Sequence, residues 1–524
     1  MVAARAGGAG AVAAGHEEVA RVGATVLADG GNAVDAVVAM VAAGCVCENT
    51  LTSFGGGGFL IAGGGSLDKP VMLDFFSRQP GLELRPWLGP WEIHALELDG
   101  IVLPYGTGPA SVAVPGIPRG LAHATERLGR RSLRELFAPA AALAQEGVTL
   151  TRTQAGEHAA NGPLIMRDTH GGSIYGIEDG FRGEGDVFRQ PALAAAIEEL
   201  AATNAESFYT GNIAHAFMAW SDHRGARVSR TDLERYQVIE REPTSLVIDD
   251  IRVYANPGPS MGGGIAVQLL QAARAQHVKG TSRELSAAIA LQEVIARLDP
   301  PRTRVPADGE IVRVPTVTLS SDRAHDAVAD TMHDRGIPTD AHGEAPGFAR
   351  SPNTTHVSAI DADGMVCGAT TTVGYGSGEF IPGTGIQLNN MLAEYDHTIV
   401  RPPGSTVPSM MTPAILASPR TLVQVGSAGS DRIPHAIAQV FQHMWDGLTL
   451  EEAILAPRLS YDGTVMHAEP GFDDETLTRL RETIEVVEWS KLDPYFGTTN
   501  GTATRNGRSY AAGDPRREAA GIVL

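Results

Sequence analysis

The sequence predicts a mixed α/β protein, and three features carry this prediction. Residues 36–47 form the longest apolar run of the chain, which is much shorter than the roughly 20 residues that cross a bilayer and therefore indicates a buried helix. Residues 113–151 place leucines at helical spacings. In contrast, residues 355–362 and 365–373 alternate as strands around a turn at Asp363-Gly364.

The ends of the apolar helix can be assigned from polar residues. Asn32 is a candidate N-cap, and Asp35 lies in the first turn, where the helix dipole favours a carboxylate. Glu48 bounds the other end of the apolar run.

The glycine run 55–58 comes next in the chain and precedes a strand-like segment. It lacks a following Gly-Lys-Ser/Thr, so close backbone packing is favoured over phosphate binding.

Further elements follow along the chain. Residues 191–202 predict a helix, and Ser286 is a candidate cap for another helix that ends at residue 298. Residues 299–352 are weakly periodic and rich in Pro, Asp, Arg and His, which predicts a long exposed connection. Residues 423–425 predict a further strand, and residues 433–446 a helix.

Composition excludes several classes of function. The chain has 524 residues and a net charge of -20, which disfavours binding to nucleic acid or to an anionic membrane and leaves a small molecule as the expected partner. Its three cysteines, Cys45, Cys47 and Cys367, are too few for a disulfide framework and predict buried thiols rather than a zinc site. Residues 1–15 lack the apolar block of a secretory signal, so a cytoplasmic location is expected.

One junction in the sequence suits nucleophilic chemistry. A threonine hydroxyl needs a neighbouring base, and a threonine at a chain terminus provides that base as its own free amine. Asn353-Thr354 places a threonine at the start of a predicted strand, after the long connection. The Thr354 hydroxyl is positioned to attack the Asn353 carbonyl and form an ester that water cleaves. Taken alone, however, threonines at a strand start are ordinary β-branched residues.

Motifs along nearly the whole chain alter that interpretation. In order and approximate spacing they match gamma-glutamyltranspeptidases, and the chain resembles that family. Each motif is weak by itself, but together they are specific. They occupy residues 30–36, 55–59, 113–116, 208–214, 257–263, 354–358, 383–390, 426–429, 456–458 and 513–516.

The resemblance implies a four-layer αββα sandwich of the N-terminal-nucleophile hydrolase type. It implies a precursor that cuts itself before Thr354 into chains 1–353 and 354–524, which stay associated as one unit and need no cofactor or metal. Thr354 would be nucleophile and, through its new amine, base, while Thr372 would orient it. The backbone N–H groups of Gly429 and Ser430 would form the oxyanion hole, where the family normally has two glycines. His356 is expected to have a structural, hydrogen-bonding role.

The candidate substrate contacts depart from the family pattern. Phe76 stands where the family has an arginine for the substrate α-carboxylate, and Arg78 lies two residues on, about 6 to 7 Å away along a strand. Glu394 replaces an aspartate, and Ser409-Met410 replaces a pair of serines. With fewer donors and more apolar surface, the pocket is expected to favour a substrate other than plain glutathione, since an unmatched buried charge costs several kcal/mol.

Three functional hypotheses remain open from the sequence. The first is a hydrolase or acyltransferase for γ-glutamyl or related amides, as in glutathione metabolism. The second is a specialised member that cleaves another acyl compound or a carbon–carbon bond, as in antibiotic biosynthesis. The third, which the threonines at 354 and 372 disfavour, is an unprocessed binding protein on the same fold.

Overall fold

The architecture is a four-layer αββα sandwich, as predicted. In a computed structural model, the structure describes residues 10–83, 92–98, 101–178, 180–279, 281–298, 353–393 and 401–524. Within these residues, two large sheets stack face to face, and helices cover the outer face of each.

The first sheet contains the predicted cleavage site. All its strand pairs are antiparallel, and the predicted hairpin forms its centre, with Gly364 in the turn at φ +80°. The predicted strand starts one residue early, at Thr354, and ends at Asp361. Across the sheet the seven strands are Ile239–Arg241, Val71–Phe75, Gly57–Gly64, Met365–Thr372, Thr354–Asp361, Gly10–Ala14 and Ala520–Val523.

The second sheet is also antiparallel and packs on the first through an apolar layer. The strand predicted at 423–425 extends over Thr421–Ala428 at its centre. Its six strands, in order, are Thr244–Ile248, Ile251–Ala255, Ala414–Ala417, Thr421–Ala428, Thr498–Arg505 and Arg508–Ala512. Smaller sheets pair Glu92–Leu98 with Ile101–Thr107, Val148–Thr149 with Val187–Phe188, Gly176–Ile177 with Gly180–Phe181, and Leu459–Tyr461 with Met466–Ala468 and Val486–Glu488.

Helices form the two outer layers. Those on the side of the first sheet are Glu17–Ala28, Ala33–Cys47, Ile117–Leu128, Leu133–Glu146, Pro191–Ala202 and Asn212–Arg224. Those on the side of the second sheet are Gly262–Val278, Arg283–Leu298, Ile433–Trp445 and Leu450–Leu455. Peripheral helices are Arg152–Ile165, Thr169–Tyr175, Arg230–Glu234 and Asp474–Arg481.

The apolar helix Ala33–Cys47 behaves as predicted. Every residue in it is buried, and Asn32 caps it: the Asn32 side chain accepts from the Asp35 N–H and the Asp35 carboxylate accepts from the Asn32 N–H. Such reciprocal caps satisfy two backbone donors that the helix leaves unpaired. In the parts of the chain described above, helices that combine the length and apolarity needed to cross a membrane are absent.

The expected close packing of the glycine run is also confirmed. A Cβ atom added at Gly56 would lie 2.2 Å from the Thr372 carbonyl oxygen, and one at Gly55 would lie 2.1 Å from the Gln387 carbonyl oxygen. Only glycine permits backbones to approach this closely. The run therefore brings the strand Gly57–Gly64 against the strand that ends at Thr372.

The predicted cap at Ser286 is wrong. The helix Arg283–Leu298 begins three residues earlier, and the Leu285 N–H donates to the Ser282 hydroxyl at 3.4 Å. Ser286 is fully buried inside the helix. Both serines suit a cap by residue type, and only packing decides which of them faces the core. The predicted connection 299–352 lies outside the described residues.

Candidate active site

Thr354 begins the central strand of the first sheet, directly opposite Thr372 in the strand register. Side chains alternate along a strand. His356 contacts the second sheet through Gln424, whereas Thr355 contacts Glu48 of the helical layer. Thr354 therefore faces the space between the two sheets. It is buried in the uncleaved chain.

The carbonyl of Asn353, at the predicted cleavage site, is held by a hydroxyl donor. The Thr372 hydroxyl donates to this carbonyl oxygen. The same hydroxyl oxygen accepts from the Gly374 N–H at 2.8 Å, which fixes its orientation. Asn353 is buried, and its side-chain amide has no hydrogen-bond partner among the described residues. The peptide bond before Thr354 is thus buried, and its carbonyl is polarised.

Gly429 and Ser430 lie at the same end of the sandwich as Thr354. The Ser358 hydroxyl donates to the Gln424 carbonyl, and the His356 ring packs against Gly426. Moving two residues toward Thr354 on its strand therefore corresponds to moving two residues toward Ala428 on the strand Thr421–Ala428. One further move of this kind places Thr354 opposite Ala428. The turn that contains Gly429 and Ser430 follows Ala428 directly.

The turn has the backbone conformation of a glycine pair although its second residue is serine. Gly429 has φ +138° and Ser430 has φ +52°, a left-handed value that costs a residue with a side chain about 1–2 kcal/mol. The turn is anchored by Arg432, whose Nε donates to the Tyr495 carbonyl at 3.0 Å. The guanidinium of Arg432 also lies 4.7 Å from the centre of the Tyr495 ring. Strain of this kind persists where surrounding contacts enforce it.

His356 joins the two sheets. Its Nδ1 lies 2.8 Å from the Thr370 hydroxyl and its Nε2 lies 3.1 Å from the Gln424 side-chain oxygen. Burial lowers the pKa of His356 to about 4, so the imidazole is neutral at physiological pH. Gly426 makes room for it, because a Cβ there would lie 2.2 Å from Nδ1. These contacts agree with the structural role expected for this histidine.

Phe76 lies in the same row of the first sheet as the candidate nucleophile. Thr354 pairs with Thr372, and Thr372 pairs with Gly57. The next strand of the sheet continues this row, because its register, continued by one residue, places Phe76 opposite Gly57. The Phe76 carbonyl carbon would lie 3.0 Å from a Cβ atom added at Gly57. Three strand spacings separate Thr354 from Phe76, about 14 Å. The Phe76 ring is buried and stacks on Phe59 at 5.4 Å, in the layer between the sheets.

Arg78 is buried and bound to protein groups. Its Nη1 lies 2.9 Å from a carboxylate oxygen of Asp74 and also contacts the Thr406 hydroxyl. Its Nη2 donates to the carbonyl oxygens of Asp74 and Gln237. Arg241 binds the other carboxylate oxygen of Asp74 at 2.8 Å. These contacts favour a structural role for Arg78 over binding of a substrate carboxylate.

The remaining candidate contacts lie on a neighbouring segment. The Val407 N–H donates to the Ser77 carbonyl at 3.0 Å, so this segment runs beside the one that carries Phe76 and Arg78. Ser409 is buried, and its carbonyl accepts from the Met261 N–H at 2.8 Å. Met410 is only partly buried and packs at the edge of the apolar layer. Glu394 lies outside the described residues.

Two residues contact the start of the strand Thr354–Asp361 from the helical side, and neither contact is predicted from the sequence. Glu48 accepts from the Thr355 hydroxyl at 2.9 Å, and Arg517 donates to the Thr354 carbonyl at 2.9 Å. The sequence does contain a signal for Glu48, because it is the charge that ends the apolar run 36–47. Arg517 gives no such signal, since it stands beside another arginine near the end of the chain.

Several sequence motifs meet in the structure. The Asn389 side chain donates to the carbonyl oxygens of Gly55 and Ala113 and accepts from the Ala113 N–H. Arg458 pairs with Asp514 at 2.9 Å in the interior. Motifs far apart in sequence are therefore parts of common hydrogen-bond networks around the two sheets.

Comparisons with known proteins agree with this arrangement. The family model described as Gamma-glutamyltranspeptidase matches residues 19–524. The glutathione hydrolase proenzyme of Pseudomonas aeruginosa is 29% identical over 549 residues, covering 98% of this chain and 94% of that protein. The acylase ACY 1 proenzyme of a Pseudomonas species is 28% identical over 502 residues, covering 90% of this chain and 86% of that protein.

A solved structure supports the fold. The crystal structure of cephalosporin acylase from Bacillus halodurans aligns with a TM-score of 0.77 and 22% identity, covering 100% of this chain and 97% of that one. At this identity the likeness concerns architecture. Because the family model spans nearly the entire sequence, this chain belongs to the gamma-glutamyltranspeptidase family.

Proposed function

We propose that this protein is a self-processing N-terminal-nucleophile enzyme that transfers or hydrolyses an acyl group through the hydroxyl of Thr354. The precursor is cut between Asn353 and Thr354, and chains 1–353 and 354–524 remain together as one αββα unit. A single observation carries the proposal: the Thr372 hydroxyl donates to the carbonyl of the residue that precedes the candidate nucleophile.

The cleavage step follows from this geometry. The Thr354 hydroxyl oxygen adds to the Asn353 carbonyl carbon while its proton passes to the amide nitrogen. The carbon–nitrogen bond then breaks, leaving an ester on the Thr354 hydroxyl and a free amine on the same residue. Water hydrolyses the ester to give the Asn353 carboxylate and the free hydroxyl. Negative charge develops on the Asn353 oxygen, where the Thr372 hydroxyl donates, and a donor in place before reaction stabilises that charge.

The matured site repeats the same chemistry on a substrate. The freed amine takes the proton of the Thr354 hydroxyl as the oxygen attacks a substrate carbonyl. The leaving group accepts that proton, and an ester to Thr354 remains. Water or an amine then removes the acyl group. The backbone N–H groups of Gly429 and Ser430, at the same end of the sandwich, are proposed to bind the oxyanion.

Release of a buried polar group also favours cleavage. The Asn353 amide is buried and unpaired among the residues described, and an unsatisfied buried amide costs about 1–3 kcal/mol. When the bond after Asn353 breaks, this residue becomes a chain end that is free to move into water. The uncleaved state therefore carries a cost that the processed state avoids.

The recognition residues favour an acyl substrate that lacks the amino-acid head group of glutathione. Phe76 fills the expected arginine position with an apolar ring, and Arg78 is bound to Asp74. A free α-carboxylate would therefore lack its bidentate partner at these positions, and such a charge is costly to bury. The acylase relatives support an acyl substrate without this head group, whereas the glutathione hydrolase relatives support a γ-glutamyl substrate.

Processing is tested first, by denaturing gel and intact mass of the purified protein. The wild type should give two chains with a new terminus at Thr354. Thr354→Ala should remain a single chain, and Thr354→Ser should still be cut because it keeps a hydroxyl. A wild-type chain that stays continuous after long incubation would contradict the proposal.

Substrate class is tested on the processed protein. A γ-glutamyl anilide and an acylated cephalosporin-type lactam would each be incubated with the enzyme, and mass spectrometry would seek an acyl adduct on Thr354. We expect an adduct from the lactam and little from the anilide. Efficient turnover of the anilide would instead assign the protein to the γ-glutamyl substrates. The location in the cytoplasm remains a prediction.

A further inference from the structure

Glu48 lies behind the strand that begins with Thr354. It follows the buried helix Ala33–Cys47 and is 4% exposed. The Thr355 hydroxyl lies 2.9 and 3.1 Å from its two carboxylate oxygens. Since Thr355 follows Thr354 directly and points to the opposite face of the sheet, this contact holds the nucleophile's strand from its rear side.

Arg517 provides a second anchor at the same place. Its Nη1 donates to the Thr354 carbonyl at 2.9 Å, and its Nε lies 3.7 Å from Glu157. Glu157 in turn accepts from the Thr50 hydroxyl at 3.0 Å. The carbonyl of Thr354 and the side chain of Thr355 are therefore both bound by residues outside their own sheet.

The titratable groups around Glu48 belong to several elements. Arg517 faces it from the last segment of the chain and Glu157 from the helix Arg152–Ile165, while the thiols of Cys45 and Cys47 lie on its own helix. Burial raises the pKa of Glu48 to about 7, and the hydrogen bond from Thr355 and the positive charge of Arg517 act in the opposite direction. These two partners thus stabilise the ionised carboxylate.

Cleavage changes what holds residue 354. In the precursor, the peptide bond to Asn353 fixes its backbone. After cleavage Thr354 is a chain terminus, and termini fray unless other contacts hold them. A nucleophile that is displaced by about 1 Å loses much of its rate.

We propose that Glu48 and Arg517 are positioning residues that hold the newly formed terminus at Thr354 in its reactive place after self-cleavage. This inference rests on the proposed function. The two residues act through the backbone of Thr354 and the hydroxyl of Thr355, on the face of the sheet away from the substrate. They should therefore affect turnover by the mature enzyme more than cleavage of the precursor.

The experiment compares Glu48→Gln with wild type and with Glu379→Gln. Glu379 is a matched control because it is also a buried carboxylate, paired with Trp220 and Arg224. We expect Glu48→Gln to be cut into the same two chains, with kcat lowered at least tenfold and KM changed less than threefold. Glu379→Gln should lower thermal stability but keep the kcat of wild type.

Two results would overturn the inference. One is a kcat for Glu48→Gln within twofold of wild type. The other is an equal loss of kcat in Glu48→Gln and Glu379→Gln when the two variants have the same thermal stability. If Glu48→Gln does not yield processed protein, Thr355→Val and Thr355→Ser decide. The serine variant keeps the hydroxyl and should retain turnover, the valine variant should lose it, and equal turnover refutes the idea. Absence of cleavage in wild type would contradict the proposed function itself.

Discussion

Replacing Thr372 by valine removes the hydroxyl that joins two groups at the proposed cleavage site. In the precursor this hydroxyl donates to the Asn353 carbonyl and accepts from the Gly374 N–H at 2.8 Å. Valine matches threonine in shape, so the buried site keeps its volume. Thr372→Val therefore tests the hydrogen bonds with little change in packing.

The expected size of the effect follows from the charge that develops during cleavage. In the proposed cleavage the Asn353 oxygen becomes an oxyanion as Thr354 attacks, and loss of one preorganised donor to such an oxygen lowers a rate by about 10²–10³, or about 3–4 kcal/mol. The variant also leaves the buried Gly374 N–H without its acceptor, which costs about 1–3 kcal/mol of stability. Thr372→Ser keeps both contacts and serves as the control.

The assay follows cleavage from the moment of synthesis. Radiolabelled precursor made by cell-free translation would be sampled over time, and the ratio of cut to uncut chain measured on denaturing gels. Wild type and Thr372→Ser should mature at similar rates, whereas Thr372→Val should mature about 100 to 1000 times more slowly. Cleavage of Thr372→Val within about threefold of wild type would refute the assignment of this hydroxyl, since loss of an oxyanion donor has a far larger effect.

Three further predictions concern stability. Ser430→Gly should stabilise the protein by about 0.5–1 kcal/mol, because glycine relieves the left-handed conformation at a smaller entropic cost; thermal unfolding of wild type and variant would show it, and an unchanged or lower midpoint would contradict it. Arg78→Met should destabilise by about 3 kcal/mol by removing one partner of buried Asp74, with KM unchanged; a higher KM at unaltered thermal stability would instead place Arg78 in the substrate site. Burial raises the pKa of Glu48 from 4.5 to about 7. The contribution of Glu48 to the free energy of unfolding is therefore complete below pH 4.5, and about 3 kcal/mol of it is lost as pH rises through 7. Thermal unfolding between pH 4 and 8 should show this loss in wild type and not in Glu48→Gln, and parallel curves would disprove it.

The local elements could be predicted because they depend on neighbouring residues. The cap at Asn32, the helix Ala33–Cys47 and the hairpin after Thr354 follow from residue type and spacing over a few positions. The prediction of a cap at Ser286 is wrong because Ser282 and Ser286 suit a cap equally well by residue type. Burial chose between them, and burial is a property of the assembled layers.

The family and the candidate nucleophile follow from the sequence alone, since ordered motifs match the family and Thr354 stands at a strand start after a long connection. The surroundings of that threonine are set by the packing of the layers. It pairs Thr372 with the Asn353 carbonyl, binds Arg78 to Asp74 and sets Glu48 behind the strand. Glu48 lies 307 positions from its partner Thr355. Such contacts cannot be predicted from neighbouring residues, because hydrogen bonds and burial depend on distance in space, and the packing of two sheets and two helical layers sets those distances.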